Sequence, residues 1–213
     1  MSDLTKRALL SGAGALAATA VAAQTSTPAV PTPPVAAANP RVILQTAAGA
    51  ITVELAADRA PITTANFLRY VEAKRFDGAT FYRALKLAAS PLAGLVQAGA
   101  KNDAARAFPP IAHESTTVTG LSNRDGVISM ARYAPGTATS EFFICVGDLR
   151  SLDADPTQPG DNEGFAAFGR VVDGLDVVRK ILTSPVSPTA GDEGMKGQML
   201  DPEIAIVAAR RAG

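Results

Sequence analysis

The sequence predicts a mainly β protein: a closed barrel of short strands with two α-helices set on it. Eight short apolar-rich segments recur between residues 41 and 208, and two longer segments carry helical periodicity. Many short strands accompanied by only two isolated helices favour closure into a barrel, because closure leaves no unpaired strand edge. No internal repeat is found.

Taken in order, Arg41–Gln45 and Ala50–Leu55 read as a hairpin around Gly49, with Ile51, Val53 and Leu55 on one face and Thr52 and Glu54 on the other. Residues 62–74 read as the first helix. Pro61 suits its first turn, and Ala65, Leu68 and Val71 recur at helical spacing with Phe67 adding bulk to the stripe. Strands follow at 80–85, 95–98, 126–131, 141–146 and 166–172. Gly174 precedes the second helix, Leu175–Leu182, whose Val177, Val178, Ile181 and Leu182 are apolar, and Glu203–Ala208 closes the domain as a strand.

The chain has 213 residues, 47% of them apolar, with 20 basic and 20 acidic side chains, one Cys, one His and no Trp. A lone Cys forms no internal disulfide framework. Too few His and Cys are present for a catalytic zinc built on them, and no metal or other cofactor is expected. Balanced charge argues against a nucleic-acid partner. Residues 1–23 read as a secretory signal peptide: Lys6 and Arg7 lead, Ala8–Ala20 is small and apolar, and Val21-Ala22-Ala23 supplies a small-residue cleavage site. The apolar run is too short for a membrane span, so none is expected in the mature chain. Residues 24–40, with Pro28, Pro31, Pro33, Pro34 and Pro40, form a Pro/Ala-rich linker. The folded domain is expected over 41–213, as a monomer, periplasmic or secreted.

The sequence then reaches familiar motifs: Ala60-Pro61, Asn66-Phe67, Phe81-Tyr82-Arg83, Ile128-Ser129-Met130-Ala131-Arg132, Ser140-Glu141-Phe142-Phe143-Ile144 and Phe168-Gly169-Arg170-Val171-Val172-Asp173-Gly174. In this order, over about residues 41–208, they resemble the cyclophilin family of peptidyl-prolyl cis-trans isomerases. The resemblance implies an eight-stranded closed antiparallel barrel capped by two helices, and isomerisation of Xaa-Pro bonds in proline-containing polypeptides. It implies catalytic roles for Arg83, which would interact with the prolyl nitrogen, for Gln97, which would hydrogen-bond the substrate backbone, and for Phe143, which would wall the proline pocket. Phe81, Tyr82, Leu95, Met130, Ala131, Arg132, Glu141, Leu152 and Phe165 are implied as further substrate-binding residues.

The chain also departs from the family pattern. Gly94 stands where a pocket phenylalanine is usual, and Glu141 replaces a glutamine. Arg132 replaces an asparagine and is expected to pair with Glu141. Thirteen residues separate Arg83 from Gln97, more than in the family's compact form. These changes surround the groove and leave a second reading, a proline-peptide binding or chaperone module with little turnover. Cys145 reads as a buried small hydrophobe, His113-Glu114 as loop, and the acidic 153–163 stretch as a solvated loop.

Overall fold

A computed structural model describes residues 39–101 and 103–212. The signal-peptide reading and nearly all of the linker reading lie outside the described residues. The elements run β1 (Arg41–Thr46), β2 (Gly49–Leu55), α1 (Pro61–Glu72), β3 (Thr80–Leu87), β4 (Ser90–Gly99), α2 (Thr116–Thr119), β5 (Val127–Met130), β6 (Phe142–Val146), a single 3-10 turn (Arg150–Leu152), β7 (Ala167–Asp173), α3 (Leu175–Leu182), β8 (Val186–Ser187) and β9 (Met199–Arg211).

All strand pairings are antiparallel. The order β1-β2-β7-β5-β6-β4-β3-β9 returns to β1 through a β1–β9 ladder, so eight strands close a barrel and two-residue β8 hangs on β9. Closure satisfies the backbone groups that an open edge would expose. The alternation read from sequence decides what fills the barrel. Leu44 of β1, Ile51, Val53 and Leu55 of β2, Ile128 of β5 and Ile144 of β6 are all fully buried in one core cluster. α1 adds Phe67, whose ring lies 5.1 Å from Phe76 and 5.3 Å from both Phe142 and Phe168. α3 adds Val178, Ile181 and Leu182, and packs against β2, β3, β4 and β6.

The first helix starts one residue earlier and ends two earlier than the sequence suggests. Lys74 adopts a left-handed φ of 54°, which no helix propagates. Ala60 sits at the N-cap and offers no side-chain acceptor. The missing cap comes from Glu114, whose buried carboxylate accepts from the Ile62 N–H at 3.1 Å, the Thr63 N–H at 2.7 Å and the Thr63 hydroxyl at 2.6 Å. Residues 113–114 are indeed loop, but Glu114 is a structural anchor.

The long connection between Arg83 and Gln97 continues the β3–β4 hairpin. Lys86 pairs with Gly94, and Leu87 with Ser90 around an Ala88-Ala89 turn. Sequence reading found neither α2 nor β8. Each is very short, and a four- or two-residue element carries no periodicity to read.

Candidate active site

Strands β4, β5 and β6 divide their side chains between two environments. Val96, Ala98, Ile128, Met130, Phe142, Ile144 and Val146 belong to the barrel core. Leu95, Phe143 and Cys145 belong to a second cluster with Leu149, against which Leu85, Ala131, Leu152 and Phe165 pack. A period of two generates this split: residues i and i+2 share a face, and directly opposed residues do too. Arg83 lies opposite Gln97, and Gln97 opposite Phe143. One step on, Leu85 lies opposite Leu95, and Leu95 opposite Cys145. A polar rung and an apolar rung thus adjoin on the outside of the barrel, bordering a groove of about 510 Å³.

A β-bulge sharpens this arrangement. Phe81 pairs with Ala98 and Arg83 with Gln97, so Tyr82 is an extra residue in β3. Two consecutive β3 side chains therefore meet a single partner. The Gln97 amide bonds with both: its Nε2 donates to the Tyr82 hydroxyl at 2.7 Å, and its Oε1 accepts from Arg83 Nη1 at 3.0 Å. Arg83 Nε donates to Gln198 Oε1 at 2.9 Å. The Tyr82 hydroxyl donates to a Glu141 carboxylate oxygen at 2.5 Å, and the Ser140 hydroxyl donates to the other at 2.9 Å. Partial burial lowers the Arg83 pKa from its ordinary value, yet an arginine remains a cation at any physiological pH. Burial, then the adjacent Glu141 carboxylate, pushes the Tyr82 phenol well above its ordinary range, so it stays a proton donor.

The apolar wall is held from behind. The Phe165 ring meets Phe143 edge-on at 5.4 Å. Leu152 precedes Asp153, whose carboxylate accepts from the Asn123 backbone N–H at 2.7 Å and from its side-chain amide, also at 2.7 Å. Asp153 is therefore a fixed anchor rather than part of a solvated loop. Asp161 and Asp155 do lie in exposed loop, although Asp161 is also paired. Cys145 is buried, and its thiol is pushed up to about 12, chiefly by desolvation.

Most of the residues implied from sequence line the groove: Tyr82, Arg83, Leu95, Gln97, Ala131, Arg132, Glu141, Phe143, Leu152 and Phe165. Phe81 and Met130 do not. Phe81 pairs with inward Ala98 and Met130 with inward Phe142, so alternation buries both in the barrel core. The expected Arg132–Glu141 pair is also corrected. Arg132 donates to both carboxylate oxygens of Asp161, at 2.6 and 2.9 Å, and to the Gly164 carbonyl. Its guanidinium sits 5.2 Å from the Phe165 ring centre. Glu141 is engaged by Tyr82 and Ser140 instead.

Gly94 has a structural cause. It adopts φ 153°, and a Cβ there would lie 1.9 Å from the Leu85 carbonyl oxygen. No side chain fits, and the neighbouring strand supplies Leu85 to the groove. Sequence reading missed Leu85, Lys101, Met195 and Met199 along the groove, and Gln198 behind Arg83. The apolar Met195 and Met199 in a Gly-rich segment were the one available signal. Among the described residues no cluster of His, Cys, Asp and Glu could hold a metal, and no helix is long and apolar enough to cross a membrane.

A barrel closed in this order, with an arginine beside an apolar groove on its outer face, defines the cyclophilin-like class. The chain belongs to the cyclophilin type peptidyl-prolyl cis-trans isomerase family, whose model matches residues 41–207, and it is an enzyme of that class. It is 38% identical over 153 residues to a peptidyl-prolyl cis-trans isomerase of Acinetobacter baylyi, covering 71% of this chain and 77% of the relative. It is 34% identical over 143 residues to peptidyl-prolyl cis-trans isomerase B of Escherichia coli, covering 66% and 82% respectively. A crystal structure of a Cryptosporidium parvum cyclophilin type isomerase in the presence of the dipeptide Ala-Pro shares the fold. Its TM-score is 0.63 at 21% identity, over 81% of this chain and 99% of that one.

Proposed function

We propose that the protein accelerates Xaa-Pro rotation in polypeptides folding outside the cytoplasm, with Arg83 as the catalytic cation. The peptide C–N bond has partial double-bond character, so uncatalysed rotation faces a barrier of about 20 kcal/mol and takes tens of seconds or more. At the transition state the prolyl nitrogen loses conjugation and becomes basic. A fixed cation donating to that nitrogen stabilises the twisted form more than either planar one, which is the requirement for catalysis. No bond is broken, so the chemistry calls for no nucleophile.

The observation that carries this reading is the mounting of Arg83. Its guanidinium is held by the amide oxygens of Gln97 and Gln198, beside a groove walled by Leu95, Phe143, Leu152 and Phe165. The apolar wall suits the pyrrolidine ring. One Gln97 N–H is committed to Tyr82, and an amide has a second with which to hold the substrate backbone. The export signal read in residues 1–23 supports action outside the cytoplasm, and the protein acts as a monomer. The alternative, a binding module with little turnover, draws on Gly94, Glu141 and the altered 84–93 stretch; of these, the missing wall at Gly94 is answered by Leu85, which lines the groove.

A protease-coupled assay on Xaa-Pro peptides tests the mechanism. Arg83→Ala is expected to lower kcat/KM by roughly 100-fold. Equal rates for the variant and the wild type refute it. Fractionation of cells expressing the full chain tests the location, and retention in the cytoplasm refutes that part.

A further inference from the structure

The polar chain behind Arg83 has a direction. An ionised carboxylate only accepts hydrogen bonds, a phenol carries one proton, and an amide has distinct donor and acceptor ends. Glu141 accepts the hydrogen bond that the Tyr82 hydroxyl donates, at 2.5 Å. With that proton committed, the Tyr82 oxygen can only accept from Gln97, and the Gln97 Nε2 group turns to it at 2.7 Å. The other end of the same amide, Oε1, is thereby left facing Arg83 Nη1 at 3.0 Å. Each bond sets the orientation of the next.

We infer that Glu141 is a positioning residue: acting through Tyr82 and Gln97, it fixes the amide orientation that holds the Arg83 guanidinium. This rests on the reading of Arg83 as the catalytic cation. A glutamine at 141 has nearly the same shape but a different logic. Its amide could donate to the Tyr82 oxygen and release the phenolic proton toward Gln97. The Gln97 amide would then be free to present its N–H groups to a guanidinium that has only N–H groups to offer. Glu141 removes that second arrangement.

The fold makes room for this carboxylate. Glu141 is only 5% exposed. Gly99 lies beneath it with φ 152°, and a Cβ there would come within 2.5 Å of the Glu141 carboxyl atoms. The bulge at Tyr82 supplies the other condition, since it lets one glutamine face both the tyrosine and the arginine.

The test is a double-mutant cycle with Glu141→Gln and Tyr82→Phe, which share the same path to Arg83. Glu141→Gln is expected to lower kcat/KM about fivefold, the size of one ordinary net hydrogen bond. The loss should fall in kcat, with KM and the thermal midpoint held. In the Tyr82→Phe background the Glu141→Gln change should cost nothing further, because the path is already cut. The nitrogen-15 NMR signals of the Gln97 side-chain amide and the Arg83 Nε–H should both move in Glu141→Gln. Wild-type kcat/KM in Glu141→Gln, or losses that multiply in the double variant, overturns the inference. Arg83→Ala serves as the control: if wild type is no faster than that variant, the reading of Arg83 as the catalytic cation fails. The NMR signals then decide the positioning claim separately, moved signals supporting it and unmoved signals overturning it.

Discussion

Truncation of Glu114 to alanine is expected to destabilise the fold by about 3 kcal/mol, mostly through two groups left buried without partners. Glu114 is 8% exposed and holds the first turn of α1 through three hydrogen bonds. Those bonds do not contribute equally. Ile62 is 44% exposed, so its N–H can reach water once the carboxylate is gone. Thr63 is fully buried, and both its N–H and its hydroxyl would be orphaned. A buried unsatisfied donor costs about 1–3 kcal/mol, and loss of a negative charge at a helix N-terminus about 0.3–1 kcal/mol more. Ala60 at the N-cap offers no substitute acceptor. For a domain of this size each kcal/mol moves the thermal midpoint by about 2–4 °C, so a fall of about 6–12 °C is expected. Urea and thermal unfolding followed by far-UV circular dichroism measure it. Glu114→Gln, which keeps an acceptor oxygen, should lose less. An alanine variant within about 1 kcal/mol of wild type, or a glutamine variant worse than alanine, would refute the capping argument.

Three further outcomes are expected. Arg132→Ala removes the ion pair to Asp161, the bonds to Gly164 and the cation over Phe165, so KM for proline peptides should rise several-fold with kcat less affected; an unchanged KM would separate the 161–165 segment from substrate binding. The Cys145 thiol, pushed up to about 12 by burial, should resist aromatic disulfide reagents at pH 8–9 in the folded protein and react fully once unfolded. Because the unfolded thiol ionises near about 8.5, the unfolded state binds fewer protons above that pH, and this group makes stability fall as pH rises from there toward 12.

The parts of the fold that repeat are the parts the sequence announces. Alternation gave the hairpin faces at Ile51, Val53 and Leu55, and Gly174 with the apolar stripe of Leu175–Leu182 marked α3 to the residue. The site was legible where a motif carried it, as at Arg83, Gln97 and Phe143. It failed where geometry depends on register. Phe81 and Arg83 look equivalent in a motif, but their rungs differ: Phe81 faces inward beside Ala98, and the bulge at Tyr82 sends both Tyr82 and Arg83 toward Gln97. No local pattern marks such an insertion. Gln198 and Glu114 were invisible for another reason: each acts on a partner far along the chain, Arg83 and Thr63, and neither lies in a periodic segment. Arg132 and Glu141 seemed matched by charge, but their own neighbours satisfied them first.

The extension of the β3–β4 hairpin separates length from chemistry. The Leu85–Leu95 rung still borders the groove, and everything beyond it, from Lys86 through the Ala88-Ala89 turn to Ala93, leads away from the polar rung. Residues gained or lost at that tip leave the pairing of Arg83, Gln97 and Phe143 in phase, because the ladder between tip and site is already formed. The arm is thus a natural grafting point. A recognition peptide inserted at Ala88-Ala89 would be carried on two paired strands beside the groove, and could recruit a chosen client to the isomerase without retuning the groove itself.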